Sequence, residues 1–228
     1  MNNMKINYKV ILINFVILCL ISCGGKQKTT DQNQIEKIIT KDSRPLFIFA
    51  PGNYIVELSS SSIYWECNWL GGNKHDGGIY LDKGFISIKD DNNITGNFVV
   101  DMNTIDCFDI KNPGTKSKLI NHLKSDDFFD VDEYPNASLE IYSSENVKNN
   151  NFLFKGGLTI KGITSSVEMN GEVEKVELGY SANIKLVFDR SKFNVRYRSA
   201  SFFNDLGDRI ISDEVFLNIK IKLNKNIS

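Results

Sequence analysis

Histidine is scarce in this chain, with two residues in 228. A metal centre built from histidines, or catalysis that depends on one, is therefore disfavoured. The chain also lacks an excess of charge of one sign, because 27 basic side chains accompany 28 acidic ones. Nucleic-acid binding needs a basic surface, and this composition argues against it. With 41% hydrophobic and 24% charged residues, the composition is that of a globular protein rather than a disordered or fibrous one.

The apolar run at residues 10–21 is too short to cross a bilayer. It has twelve positions, whereas a spanning helix needs about 20. Lys5 and Lys9 precede the run and Ser22-Cys23-Gly24 follows it, an arrangement typical of a secretory signal peptide. The ending Leu20-Ile21-Ser22-Cys23 resembles the lipobox of bacterial lipoproteins, in which the cysteine is acylated, for example with palmitate. That resemblance implies a lipid anchor at Cys23.

Three segments are expected on these grounds. Residues 1–22 are predicted to form the lipoprotein signal peptide, residues 23–52 the acylated cysteine with a flexible tether, and residues 53–224 the folded domain. The tether is expected because the stretch after Gly24 is rich in Lys, Gln and Thr and ends with Pro45 and Pro51. We expect a lipid-anchored protein of the cell envelope, on the outer membrane facing the periplasm, since no acidic run follows Cys23.

Two cysteines, Cys67 and Cys107, belong to the predicted domain. In an oxidising compartment they could form a disulfide, and the alternative is two separate buried thiols. Both interpretations stay open at the level of the sequence. Nothing in the sequence marks either thiol as a catalytic nucleophile.

Apolar and polar residues alternate along most of the chain after residue 53, which predicts strands with one buried face. About eight to ten such runs can be counted, and the clearest are residues 63–69, 94–102, 152–160, 167–173, 182–188 and 215–223. Gly71-Gly72 and Gly77-Gly78 are expected in turns. One helix is predicted from Lys116 to Lys124 and a brief helical turn over residues 205–211. One-faced strands must pack against a second sheet or close into a barrel.

Four separated blocks resemble one known family. HLKSDDFFDV at residues 122–131 with YPNA at 134–137, GLTIKGIT at 157–164, Trp65 with His75 and Gly77-Gly78, and DRSKF at 189–193 with SASFF at 199–203 are similar to segments of the YceI-like, polyisoprenoid-binding domain family. The resemblance covers roughly residues 53–224. Cys107 and Arg198 depart from the family's pattern.

The resemblance implies an all-β fold, a lipocalin-like, extended eight-stranded antiparallel barrel with one short inserted helix. It also implies a non-enzymatic protein without cofactors that holds an isoprenoid lipid or isoprenoid quinone in the barrel lumen. The candidate ligand-binding residues are the inward-facing aromatic and apolar positions and one loop histidine: Trp65, Trp69, His75, Phe98, Met102, Phe154, Phe188 and Leu217. Each of the aromatic and apolar candidates could equally be ordinary core.

Several other residues have structural interpretations. Asp126 and Asp127 follow the predicted helix, where carboxylates usually cap and anchor loops. Phe128 and Phe129 are expected to plug the barrel under the helix rather than clamp a ligand. Asp189 and Arg190 are expected to form ion pairs with Asp208 or Asp213.

Three functions are compatible with the sequence. The first is a membrane-tethered carrier or reservoir for an isoprenoid lipid or quinone. The second is a protein-interaction or stress-response lipoprotein whose barrel is filled by its own side chains, and the third is a hydrolase around His75. The expected partners are the ligand and, through the N-terminal lipid, a membrane, with a homodimer as an open alternative for the oligomeric state.

Overall fold

The computed structural model describes residues 47–226. The predicted signal peptide, the Cys23 anchor and most of the predicted tether therefore lie outside the described residues. The described part contains nine strands and one α-helix: β1 (Gly52–Val56), β2 (Ser62–Trp69), β3 (Lys74–Ile88), β4 (Ile94–Cys107), α1 (Pro113–Lys124), β5 (Asn136–Lys148), β6 (Asn151–Ile160), β7 (Ile163–Val176), β8 (Gly179–Asp189) and β9 (Ile211–Lys225). Within residues 47–226, no helix is long and apolar enough to span a bilayer.

The strands form one closed antiparallel barrel with eight positions. From β2 to β9 each strand pairs with the next in sequence, and β9 pairs back to β2. β1 pairs with residues 85–88 of β3 and 223–225 of β9, so it occupies the same position as β2, farther along the barrel. This architecture confirms the predicted eight-stranded antiparallel barrel, and closure leaves no long free edge.

Period-two patterning places the core inside the barrel. In β8, Ala182, Leu186 and Phe188 are buried, while Asn183 and Lys185 between them are exposed. The same alternation buries one face of β7 and of β6. The strand faces that the sequence assigned to the core are therefore the faces that meet in the interior.

Turn chemistry sets the register of the hairpins. The β6–β7 loop is the pair Lys161 and Gly162, with φ values of 49° and 69°, as a two-residue turn with positive φ at both positions requires. Gly77 and Gly78 differ from the prediction because they lie inside β3 rather than in a turn. A Cβ atom on Gly77 would overlap the carbonyl oxygen of Asp106 on β4, so this glycine permits a close approach of two strands.

Helix α1 begins three residues before the predicted start and ends where predicted. The side chain of Asn112 caps it by accepting a hydrogen bond from the Thr115 N–H at 2.9 Å, and Pro113 occupies the first turn, where its missing N–H costs nothing. Leu123 is its buried residue. The predicted brief turn over 205–211 is a 3-10 helix at Gly207–Arg209.

Arg190 secures the chain between β8 and β9. Its side chain is 2% exposed, and its nitrogens donate to the carbonyl oxygens of four residues: Val195, Tyr197, Ile211 and Ser212. Its Nη2 atom lies 3.3 Å from Oδ1 of Asp213. Asp213 is one of the two predicted ion-pair partners. Burial lowers the pKa of Arg190, and Asp213 opposes that shift. Four backbone carbonyl oxygens and the nearby Asp213 carboxylate thus compensate the buried charge.

Glu57 bridges the break between β1 and β2. Its carboxylate lies 3.0 Å from Lys222 Nζ and accepts hydrogen bonds from Ser60 Oγ at 2.8 Å and Asn224 Nδ2 at 3.0 Å. These bonds, led by the one from Lys222, lower the pKa of Glu57 to about 2 from its ordinary value of 4.5. Glu57 thus ties the interrupted strand position to β9.

The pKa of the Glu57 carboxyl is lower in the folded state than in the unfolded state. Its ionised form therefore stabilises the fold at pH values above the unfolded pKa, and this stabilisation is lost as the pH falls through the folded pKa. Urea unfolding of the wild type should therefore lose stability between pH 4.5 and about 2, and Glu57→Gln should show a smaller loss across that window. Lys222→Met removes the largest cause of the lowered Glu57 pKa and should also show a smaller loss of stability across this pH range. Wild type and Glu57→Gln with parallel acid profiles would contradict this role for the Glu57 carboxylate.

Candidate functional site

Two apolar cavities occupy the barrel interior. Cavity A, with a volume of about 100 Å³, is lined by inward residues of β2 to β9 and by Phe49. Cavity B, with a volume of about 130 Å³, lies beneath Leu123, Phe128 and Phe129. Ile63, Val100, Leu158 and Leu217 line both cavities, so the two adjoin within the barrel. Nearly every lining group is a hydrocarbon side chain, which suits an apolar guest.

Six of the eight candidate residues line these cavities. Phe98 and Phe154 line cavity A, and Trp65, Met102 and Phe188 line cavity B. Leu217 contacts both. Whether any of them contacts a ligand stays a prediction, but the interior position expected from strand alternation is observed for all six.

The other two candidates, Trp69 and His75, line neither cavity. They lie at the ends of β2 and β3, with ring centroids 6.2 Å apart in an edge-to-face arrangement. The guanidinium of Arg198 lies 5.5 Å from the centre of the Trp69 ring, a cation–π contact. Trp69 is partly buried because it packs at the end of the barrel rather than within the lumen.

His75 is part of a small polar cluster with Asp109 and Cys107. His75 Nδ1 lies 2.9 Å from Asp109 Oδ2, and Cys107 Sγ donates to Asp109 Oδ1 at 3.1 Å. Burial raises the pKa of the Cys107 thiol, and Asp109 raises it further. Burial would also raise the pKa of Asp109, but hydrogen bonds from Cys107, His75 and the Asp76 N–H outweigh it and lower that pKa to about 2. The hydrogen bond of the His75 ring goes to a carboxylate, not to a serine.

Both cysteines of the domain are free thiols, so the two-thiol alternative describes them. Cys67 is partly buried, lines cavity B and donates weakly to the Ser212 carbonyl at 3.7 Å. Burial raises the pKa of the Cys67 thiol. A raised pKa lowers the thiolate fraction and with it the reactivity of the sulfur.

Phe49 closes one end of cavity A, which the sequence analysis did not anticipate. It is 3% exposed and packs edge-on against Tyr180 with ring centroids 5.0 Å apart. Two hydrogen bonds fix the segment. The Phe49 N–H donates to Asn92 Oδ1 at 2.9 Å, and the Ala50 N–H donates to the Tyr180 hydroxyl oxygen at 2.7 Å. The sequence predicts residues 47–50 to be part of the tether over residues 23–52, whereas the structure packs them against the barrel. The signal available in the sequence is the uninterrupted apolar run at residues 46–50, which is unusual for a flexible tether.

The loop after α1 closes the lumen over cavity B. Phe128 and Phe129 line that cavity, which agrees with the expected plug under the helix. His122 Nε2 lies 2.9 Å from Asp127 Oδ2, and the His122 ring packs against Tyr197 with centroids 4.5 Å apart. Asp127 therefore anchors this loop to the helix, in line with its structural interpretation.

A closed eight-stranded barrel with an apolar, partly filled interior defines the class of this domain. The model of the YceI-like domain family matches residues 54–223, and the chain belongs to that family. This agrees with the family and the extent expected from the four sequence blocks.

Solved structures support the same fold. BcnA of Burkholderia cenocepacia is similar with a TM-score of 0.60 and 19% identity, covering 73% of this chain and 98% of that one. A polyisoprenoid binding domain from Saccharophagus degradans, described as implicated in plant cell wall breakdown, is similar with a TM-score of 0.54 and 12% identity, covering 76% and 98%. A comparison with curated proteins finds no match.

Truncating the Phe49 side chain tests its role as the end closure of cavity A. Phe49→Ala should lower the free energy of unfolding by about 3–5 kcal/mol, as expected for a buried aromatic, and should increase binding of an apolar dye such as ANS. Ile48→Ala is the matched control, because Ile48 is 75% exposed and its truncation should change both little. Equal effects of the two substitutions in urea unfolding would show that Phe49 does not close the cavity.

Proposed function

We propose that this protein binds an isoprenoid lipid or isoprenoid quinone in the barrel lumen and stores or carries it without chemical change. The observation that supports this most is the pair of adjoining cavities with almost purely hydrocarbon walls. A long apolar tail gains about 0.8 kcal/mol for each methylene group it buries. Membership of the YceI-like family and the similarity to a polyisoprenoid binding domain from Saccharophagus degradans agree with this ligand class.

The cavity volumes bear on how much of a tail fits. An apolar cavity of about 150 Å³ accommodates one benzene ring, so cavities of about 100 Å³ and 130 Å³ hold a short part of a polyisoprenoid. A longer tail requires either Phe49 or the Phe128–Phe129 loop to move. We therefore expect ligand entry to displace one of these two end closures.

Trp65 is the expected contact for an oxygen atom of the ligand. It is 8% exposed and lines cavity B, and its Nε1–H has no hydrogen-bond acceptor among residues 47–226. A buried donor without a partner is unfavourable. A quinone carbonyl or an alcohol oxygen in cavity B would satisfy it, which places the polar end of the ligand toward α1.

Anchoring through acylated Cys23 would keep the carrier at the membrane from which its ligand comes. Two or more acyl chains hold a protein stably at a bilayer, whereas one does not. In this proposal the protein faces the periplasm, and the tether after Cys23 sets the reach of the barrel from the membrane. The homodimer stays a prediction.

The binding proposal is tested by filling the junction of the two cavities. Leu217→Trp should lower the affinity for geranylgeraniol and for an isoprenoid quinone by about tenfold or more, because the added ring occupies space needed by the tail. Equilibrium dialysis gives the affinities, and native mass spectrometry shows whether purified protein retains an apolar molecule. Thermal unfolding establishes that the variant folds.

The matched control is Val187→Trp, which adds the same ring on the outside of β8. Val187 is 46% exposed, so this variant should bind as the wild type does. The proposal fails if repeated preparations of wild type bind neither compound, or if Leu217→Trp and Val187→Trp bind equally well.

A further inference from the structure

Three different metal-binding groups converge where β3 and β4 end near one another. The ligand atoms of His75, Cys107 and Asp109 all lie within 4.8 Å of one another. The closest pairs are His75 Nδ1 with Asp109 Oδ2 at 2.9 Å and Cys107 Sγ with Asp109 Oδ1 at 3.1 Å. Among the described residues, this is the one group of three or more His, Cys, Asp or Glu side chains whose ligand atoms lie so close together.

The barrel itself brings these groups together. Gly77 of β3 pairs with Cys107 at the end of β4, and His75 lies two residues before Gly77 on the same face of the strand. Beyond β4 the Phe108 N–H donates to the Asp76 carbonyl at 2.8 Å, so the chain continues alongside β3 and places Asp109 beside His75. The absence of a side chain on Gly77 permits this close approach.

The set of donor atoms matches what Zn²⁺ prefers. Zinc binds cysteine sulfur at about 2.3 Å and histidine nitrogen or carboxylate oxygen at about 2.0–2.2 Å in tetrahedral geometry. Neighbouring ligand atoms of such a tetrahedron are about 3.3–3.8 Å apart, so the present separations need adjustments of a few tenths of an ångström to about one. His75 and Asp109 have side chains 30% and 27% exposed, which leaves them room to adjust.

The surroundings also suit a metal. Cys107 is completely buried, so its sulfur is held in place by the core. The Asp76 N–H donates to Asp109 Oδ1 at 3.1 Å and would orient this carboxylate, as groups behind the ligands do in metal sites. The three residues fill three positions of a tetrahedron, and the fourth is left for water or an external ligand.

The other histidine of the chain provides an internal comparison. His122 also lies 2.9 Å from a carboxylate, that of Asp127, and is exposed to a similar degree. In the described part of the chain, no third His, Cys, Asp or Glu side chain lies close enough to His122 and Asp127 to complete a similar group. The His75–Asp109 pair therefore differs from the His122–Asp127 pair in having a thiol, that of Cys107, beside it.

We propose that His75, Cys107 and Asp109 form a binding site for one Zn²⁺ ion, distinct from the apolar lumen. On binding, Cys107 sulfur forms a bond to the metal and its proton leaves to solvent, so the site takes up one ion and releases one proton. The metal would join the segment after β4 to β3 at the end of the barrel. This inference does not depend on what the lumen binds.

The test uses Co²⁺ as a spectroscopic substitute for Zn²⁺ on the full-length chain, reduced and freed of metal by chelation. Tetrahedral Co²⁺ gives visible d–d bands, and a thiolate ligand adds a near-ultraviolet charge-transfer band. We expect both bands, and we expect Zn²⁺ to displace Co²⁺ and abolish them. Cys107→Ser should lose the charge-transfer band, whereas Cys67→Ser, which changes the other thiol of the domain, should keep it.

Histidine variants give a second, matched measurement. His75→Ala should weaken Zn²⁺ binding by at least about tenfold in competition titrations, and His122→Ala should leave it unchanged. His75 is partly exposed, so its variant keeps the fold even if Cys107→Ser does not, as circular dichroism without metal will show. The proposal is overturned if wild type gives no thiolate band, if the band persists in Cys107→Ser or disappears in Cys67→Ser, or if the two histidine variants bind alike.

Discussion

Closure of the sheet is the constraint on which the rest of this structure depends. Because β9 pairs back to β2, each strand position of the barrel has a hydrogen-bonded neighbour on both sides, and one face of the sheet is turned away from water. That face must be apolar, since an unpaired polar group there would be costly. The alternation seen in β6 to β9 is the consequence, and the hydrocarbon walls of both cavities follow from it.

Closure also explains where the polar chemistry lies. Arg190 lies after β8, and the cluster of Cys107, His75 and Asp109 lies beside the end of β4, so both polar groups are found at strand ends. Arg190 is tolerated because backbone carbonyls and Asp213 satisfy its guanidinium. Glu57 occurs at the break between β1 and β2, where its carboxylate contacts the Lys222 side chain and its carbonyl oxygen accepts a hydrogen bond from the Ser61 hydroxyl. Polar clusters therefore mark the places where the regular ladder stops.

The sequence predicted the features that depend on local pattern. Strand faces follow from period two, so six of the seven candidates expected in the lumen line the cavities, and the family blocks supplied the barrel topology. Trp69 was expected in the lumen but lies outside both cavities, because alternation continues beyond the point where the lumen ends and does not indicate depth. His75 was expected in a loop and lies within β3. Gly77 was assigned to a turn because glycine favours turns, and its actual neighbour, Asp106, is about thirty residues away in the sequence.

Features made by contacts between distant segments could not be predicted in this way. Phe49 is buried by Tyr180 and Phe152, so its position depends on the completed barrel rather than on its neighbours in the sequence. Likewise, the small number of histidines, two in the whole chain, argues against a metal centre only as long as the positions of the other potential ligands are ignored. The pairing of Gly77 with Cys107 brings a single histidine next to a thiol and a carboxylate. Composition limits how many ligands exist, but strand register decides whether three of them meet.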